Sequence, residues 1–252
     1  MCPLLPRRSE APAPAGAYRP VLRPERLTPA TWAGPPKPPR SGRPRLWLAY
    51  VDDLRGVVAP LADLLLDSRE RARAAALHRP ADQDGYRVAH VGLRMLLGAY
   101  LGVEPSDVTL VRQPCPLCRA PHGRPGVPGV PLCFSLSRTD GLCLLAFAET
   151  AVGADVETLP ASDVVAGLAT MLHPEETAEL AACPPDRRPA AFARVWTRKE
   201  AYLKGLGTGL ARDLHLDRLG TCACGPCPVP GWAVHDVAVE TGYAAAVAVA
   251  EE

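Results

Sequence analysis

A chain with 28 basic residues, of which only Lys37, Lys199 and Lys204 are lysines, has left lysine out almost everywhere. Any excess of charge is missing too. The 28 basic residues face 27 acidic ones, for a formal net charge of +1, which excludes a general nucleic-acid or acidic-membrane binder. An anionic ligand must therefore be held by a local cluster of positive groups. No apolar run approaches the roughly 20 residues of a membrane-spanning helix. Met1 to Glu10 lacks the continuous apolar segment of a signal peptide. The expectation is a cytoplasmic protein with no membrane partner.

What is present suits a globular protein. At 252 residues, 48% hydrophobic and 22% charged, the chain can bury a sizeable core in one or two domains. Residues 1–44 are different: they hold twelve of the 29 prolines and show no hydrophobic period. That stretch is expected to be a disordered or extended tail. The nine cysteines are odd in number and sit in a large chain, so reduced thiols are expected rather than a disulfide framework.

Order is expected to begin with a strand at Leu46 to Val51, ended by Asp52 and Asp53. Helices follow over Val57 to Leu66, Ser68 to His78 and Gln83 to Leu101, the last closed by Gly102. Val108 to Arg112 reads as a brief strand before a loop rich in proline and glycine. Cys133 to Ser137 and Leu142 to Ala148 read as a strand pair about the turn Arg138-Thr139-Asp140-Gly141. In the second half, Ala151 to Glu157 is extended, and Asp163 is placed to cap a helix reaching Leu172. Another helix starts at His173-Pro174, and Arg188 to Lys204 forms a long helix stopped by Gly205 and Gly207. Trp232 to Glu240 and Tyr243 to Ala250 close the chain as an antiparallel pair. The expected fold class is α+β: two similar halves, 45–149 and 150–252, each with a small, mostly antiparallel sheet packed on helices and related by a pseudo-twofold.

Two of the three lysines lie five residues apart, on either side of Glu200. Arginine solubilises a helix face equally well, whereas lysine is a compact ammonium whose pKa moves on desolvation. A Glu-to-Lys pair on an exposed helix is the plain alternative. Strand alternation puts Asp155 and Glu157 on one face, and Glu200 and Lys204 are one helical turn apart, ~6 Å along the axis. Three carboxylates together with a substrate phosphate suit Mg²⁺. Ser137-Arg138 and the Arg79 to Arg87 region offer further positive charge for phosphates.

Val152-Gly153-Ala154-Asp155-Val156-Glu157 and Trp196-Thr197-Arg198-Lys199-Glu200-Ala201-Tyr202-Leu203-Lys204, preceded by Phe134-Ser135-Leu136-Ser137, resemble the three ordered motifs of the 4′-phosphopantetheinyl transferases. Length and layout are similar to the surfactin-type branch, a monomeric pseudo-dimer. The resemblance covers about residues 45–250. It implies that Asp155, Glu157 and Glu200 bind Mg²⁺ with the pyrophosphate of coenzyme A. Lys199 and Lys204 would contact phosphates or act in proton transfer to the leaving 3′,5′-ADP, with Arg79 and Arg87 on the 3′-phosphate. A serine of an apo acyl or peptidyl carrier protein would attack the β-phosphate. Glu200 and a metal-bound water are both candidates to take its proton. The family usually has histidine after the serine of the first motif, where this chain has Arg138. Arginine grips phosphate but cannot act as a neutral imidazole. The carrier would meet an apolar surface with a few arginines near Val164 to Leu172.

Two other readings stay open. Three carboxylates and a lysine also suit an Mg²⁺-dependent phosphohydrolase. Cys115-Pro-Leu-Cys118 with His122 has metal-ligand spacing, which Cys222, Cys224 and Cys227 would complete in a zinc- or cysteine-rich interaction module. A lone CxxC is a weak signal, so free thiols are the default expectation and a structural Zn²⁺ at Cys115 and Cys118 the lesser one.

Overall fold

Strand β6 (Leu142–Ala148) is apolar at almost every position and buried at all of them, so it can only be a central strand covered on both faces. A computed structural model of the chain, which describes residues 20–32, 36–40 and 42–251, places it there. β2 (Arg45–Tyr50) pairs antiparallel with β6 on one side, with Trp47 opposite Leu145. β5 (Cys133–Thr139) pairs antiparallel on the other, through the turn at Gly141. β1 (Glu25–Arg26) adds parallel to β2, giving the order β1-β2-β6-β5.

Alternation then assigns the faces. Trp47, Ala49, Phe134, Leu145 and Phe147 meet α1 (Val51–Leu65) and α3 (Pro80–Leu101) in one core, with α2 (Ser68–Ala75) capped by Asp67 between them in the chain. Leu46, Leu48, Leu142 and Leu144 meet a second sheet, whose Val152, Ala154, Val156, Val247 and Val249 complete a second core. That sheet has the order β7-β9-β8, all antiparallel: β7 (Val152–Thr158), β9 (Tyr243–Ala250) and β8 (Trp232–Asp236). Its far face carries α6 (Arg188–Leu206) on Ala246 and Ala248. Helices α4 (Ser162–Leu168) and α5 (Pro174–Ala182) pack beside α6 around Val165, Leu180 and Phe192. The mixed α+β architecture agrees with expectation, and the strand order β2-β6-β5 is echoed by β7-β9-β8.

Several expectations need correction. The described residues within 20–44 are not a detached tail: Leu22 bridges Val237, β1 joins the first sheet, and Leu27 is buried in its core. Burying one leucine contributes about 1.5–3 kcal/mol, enough to hold a short proline-rich segment that has no period of its own. The part of the expected tail at 1–19 lies outside the described residues. Asp52 and Asp53 do not end a strand. They occupy the first turn of α1, where carboxylates favour the positive end of the helix dipole. α3 starts at Pro80 rather than Gln83, because proline suits the first helical position. Asp163 lies inside the first turn of α4, not at its cap. Val111–Arg112 alone forms β3, paired with β4 (Pro125–Gly126).

The contact that positions the site is the close approach of α6 to β7. Gly153 lies so near Ala201 and Gly205 that a Cβ there would collide with the Ala201 carbonyl oxygen and the Gly205 nitrogen. Both obstacles are backbone, so a larger residue must push the helix off the strand. Gly153→Ala is expected to cost about 1–3 kcal/mol or more. Gly56→Ala, in open space on α1, should gain up to about 1 kcal/mol from helix propensity. Thermal melts of the two variants read this directly, and an unchanged Tm in Gly153→Ala would refute the tight contact.

Candidate active site

β7 turns Gly153, Asp155 and Glu157 toward α6, because Val152, Ala154 and Val156 belong to the opposite, apolar face. β5 runs beside β7 and is tied to it by side chains rather than a backbone ladder. Ala154 N donates to Ser135 Oγ at 3.0 Å, and Ser137 Oγ donates to Asp155 Oδ1 at 2.7 Å. From α6, Lys204 Nζ reaches Asp155 Oδ1 at 2.6 Å and Ser137 Oγ at 3.0 Å. Asp155, Ser137 and Lys204 thus form a closed polar triangle where the two sheets and α6 meet. Asp155 is only 1% exposed, and its Oδ2 is buried without a partner.

Glu157 and Glu200 flank this triangle. Burial, with the Asp155 charge beside it, pushes the Glu157 carboxyl up to about 7. Burial and then Asp155 raise Glu200 as well. In both, Lys204 opposes the rise and does not cancel it. One ammonium therefore serves three partly desolvated carboxylates, a charge balance that a bound divalent cation would correct. The orphaned Asp155 Oδ2 and the all-oxygen donor set fit a hard ion such as Mg²⁺. The trio is a loose set, however. Among the described residues, the group of three whose ligand atoms already lie within 4.8 Å of one another is Cys115, Cys118 and His122.

Lys199 is not part of the site. One residue from Glu200, it points about 100° around the helix into the protein. There it pairs with Glu176 at 2.7 Å and donates to the carbonyls of Leu214 and Asp217. Lys199 is 2% exposed and Glu176 is fully buried. Glu176 also accepts from the backbone N–H of Leu219 and Gly220, so this lysine is a structural ion pair and its expected catalytic or phosphate role is withdrawn. Arg198 does similar work, gripping Asp236 through two bonds of 2.7 and 2.6 Å.

The expected phosphate contacts form a second group. Arg138 alternates with Ser137 and so faces α3, its guanidinium 5.7 Å from the Tyr86 ring centre. Arg87 lies on α3 beside Asp84, and Arg79 caps the helix, two-thirds exposed. Arg79, Arg87 and Arg138 thus lie along the first turns of α3, and Arg138 leaves β5 on the face opposite Ser137. Sequence reading missed Arg124, which donates to the Gly205 carbonyl at 3.0 Å and steadies the end of α6. No local pattern links two residues so far apart in the chain. The sulfurs of Cys222 and Cys224 are brought against each other by the turn that Gly225 N closes on Cys222 O. They and Cys227 are not in the group with Cys115, Cys118 and His122.

Three carboxylates around one lysine, with arginines beyond β5, are side chains whose chemistry suits a phosphate-bearing ligand and a metal. Residues 151–245, which carry all three carboxylates and Lys204, match the family model of the 4′-phosphopantetheinyl transferase superfamily. The chain is 32% identical over 87% of its length, and 94% of the relative's, to the 4′-phosphopantetheinyl transferase HetI of Nostoc sp.. It is 34% identical to the 4′-phosphopantetheinyl transferase AcpT of Salmonella typhi over 48% of this chain and 74% of that one. With a 4′-phosphopantetheinyl transferase of Bacillus subtilis it shares 22% identity over 61% of its own length and 65% of the relative's. The chain belongs to the 4′-phosphopantetheinyl transferase superfamily.

Two outcomes follow from this geometry. Glu157 titrates from 4.5 in the unfolded chain to about 7 in the fold. Between those values the folded protein keeps a proton that the unfolded chain has released, so stability falls as pH rises across the window. Divalent-cation affinity should strengthen over the same range, since the metal needs the ionised carboxylate. Melts in metal-free buffer should show the slope in the wild type and a flatter one in Glu157→Gln; equal slopes would contradict the assignment. For Lys199→Met, leaving Glu176 buried and unpaired should cost about 3–5 kcal/mol. Thermal melts read this, and an unchanged Tm in Lys199→Met would mean that Lys199 is not structural.

Proposed function

We propose that this protein transfers the 4′-phosphopantetheine arm of coenzyme A to a serine of an apo acyl or peptidyl carrier protein, in an Mg²⁺-dependent reaction that releases 3′,5′-ADP. The observation that carries the proposal is the Asp155–Ser137–Lys204 triangle, flanked by Glu157 and Glu200. Asp155, Glu157 and Glu200 would hold Mg²⁺, which when bound supplies a Lewis acid for pyrophosphate oxygens. Ser137 and Asp155 orient the Lys204 ammonium, which neutralises charge on the pyrophosphate and on the departing 3′,5′-ADP. Arg79, Arg87 and Arg138 hold the nucleotide's remaining phosphate, Arg138 in the place where the family usually has histidine. Glu200 would take the proton of the carrier serine. The serine oxygen–phosphorus bond forms as the bond to 3′,5′-ADP breaks, and the electron pair leaves with the nucleotide.

The wider reading includes two halves, 45–149 and 150–252, related by a pseudo-twofold as in the surfactin-type branch, in a cytoplasmic monomer. The echoed strand orders support the pseudo-twofold. The carrier, an acidic helical bundle, would meet the apolar groove between α4, α5 and α6, lined by Val165, Ala169, Leu180 and Pro189 with Arg188 in its wall.

The test is mass spectrometry of a panel of apo carrier proteins incubated with coenzyme A and Mg²⁺. Carriers should gain the phosphopantetheine arm. Asp155→Asn and Glu200→Gln should each lower kcat/KM by about a hundredfold or more. Arg138→Ala should act mainly by raising KM for coenzyme A. Cleavage of coenzyme A with no arm attached would identify a phosphohydrolase instead, and full activity of both acidic variants would remove the metal assignment.

A further inference from the structure

The loop joining β3 to β4 has no core of its own. Between Val111 and Gly126 the buried residues are Cys115, Gly123 and Gly126, while Leu117 stands 56% exposed. Strands of two residues each cannot hold a loop of this length by backbone pairing. Yet the loop is closely specified. Cys115 N donates to Ala120 O, Arg119 N to Cys115 O and His122 N to Ala120 O, each at 2.8 Å, and Gly123 N donates to Gln113 O at 2.9 Å. Arg119, immediately after Cys118, is held at φ +64°, the one non-glycine residue with positive φ among those described. Such a conformation costs of order 1–2 kcal/mol for an L-residue and persists only where the surroundings impose it.

What this folding achieves is convergence of three soft ligands. Cys115 Sγ, Cys118 Sγ and a ring nitrogen of His122 all lie within 4.8 Å of one another, and Cys118 Sγ is 2.9 Å from His122 Nε2. Tetrahedral zinc, with bonds of about 2.3 Å to sulfur and 2.0–2.1 Å to nitrogen, spaces its ligand atoms about 3.5–3.8 Å apart. Small rotations of the exposed Cys118 and His122 side chains reach that spacing.

We propose that Cys115, Cys118 and His122 form a zinc site that fastens the β3–β4 loop, with a fourth position open to solvent. Two thiolates and an imidazole select zinc over magnesium, so this site and the carboxylate site take different ions. Its consequence reaches α6: Arg124, two residues beyond His122, donates to the Gly205 carbonyl beside Lys204. The zinc is thus structural and positioning, not catalytic.

The experiment uses the full chain, expressed with zinc in the medium and dialysed against excess Mg²⁺ to fill the carboxylate site. Elemental analysis should find one zinc per chain in the wild type and in Cys227→Ser, and close to none in Cys118→Ser and His122→Ala. Circular dichroism would establish that these two exposed-residue variants remain folded. Stripping zinc with a chelator should lower Tm, and zinc alone should restore it. Zinc near zero in the wild type would overturn the proposal, as would undiminished zinc in both ligand variants. So would a wild-type mass two hydrogens light with Cys115 joined to Cys118, which would make the pair a redox element. No carrier protein enters these measurements, so their outcome is independent of the transferase reading.

Discussion

Everything at the candidate site depends on a buried carboxylate held against an ammonium across two chain segments. Asp155 is nearly inaccessible, bonded to Ser137 and Lys204 through one oxygen and left with the other unpartnered. A buried carboxylate in that state is costly, and the surrounding structure exists to impose it. α6 lies close enough to supply Lys204 only because Gly153 has no side chain, and β5 supplies Ser137 because Ser135 ties the two strands together. Removing any one of these would relax the charge and dissolve the site.

α6 shows how one helix separates stability from chemistry. Arg198 and Lys199 point inward and are matched to Asp236 and Glu176, with backbone carbonyls taking their remaining donors. Buried ion pairs of this kind contribute little relative to an apolar core, but losing one partner is destructive. They therefore fix the rotation of the helix about its axis. Glu200 and Lys204 are aimed at β7 by that rotation, Lys204 onto Asp155 and Ser137 and Glu200 into a partly buried position beside them. The same seven-residue stretch, 198–204, carries inert and poised charges, with Lys199 and Glu200 separated by about 100° of helical turn.

Much of this was legible from residues alone. Alternation across β7 and the one-turn spacing in α6 are local geometry, so Asp155 and Glu157 could be placed on one strand face, and Glu200 and Lys204 on one helix face, before any fold was known. The scarcity of lysine pointed to the right helix and then misled, because scarcity marks both a buried pair and a reactive amine. Lys199 is the former. The proline-rich segment at 20–32 misled for a related reason: Leu27 has no periodic neighbours, and its burial is decided by a gap in a distant sheet.

The sequence by itself determined most of the elements, the α+β class and the residue types of the site, because these follow from short-range period and spacing, and the family through the resemblance of its motifs. Only the tertiary structure decided which lysine meets Asp155, that Arg138 turns away from Ser137 toward α3, that Arg124 holds the end of α6, and that Cys115, Cys118 and His122 converge without Cys227. Those are contacts between segments tens of residues apart or choices between adjacent side chains. Their outcome depends on which face of each element the cores leave free, and no local pattern records that.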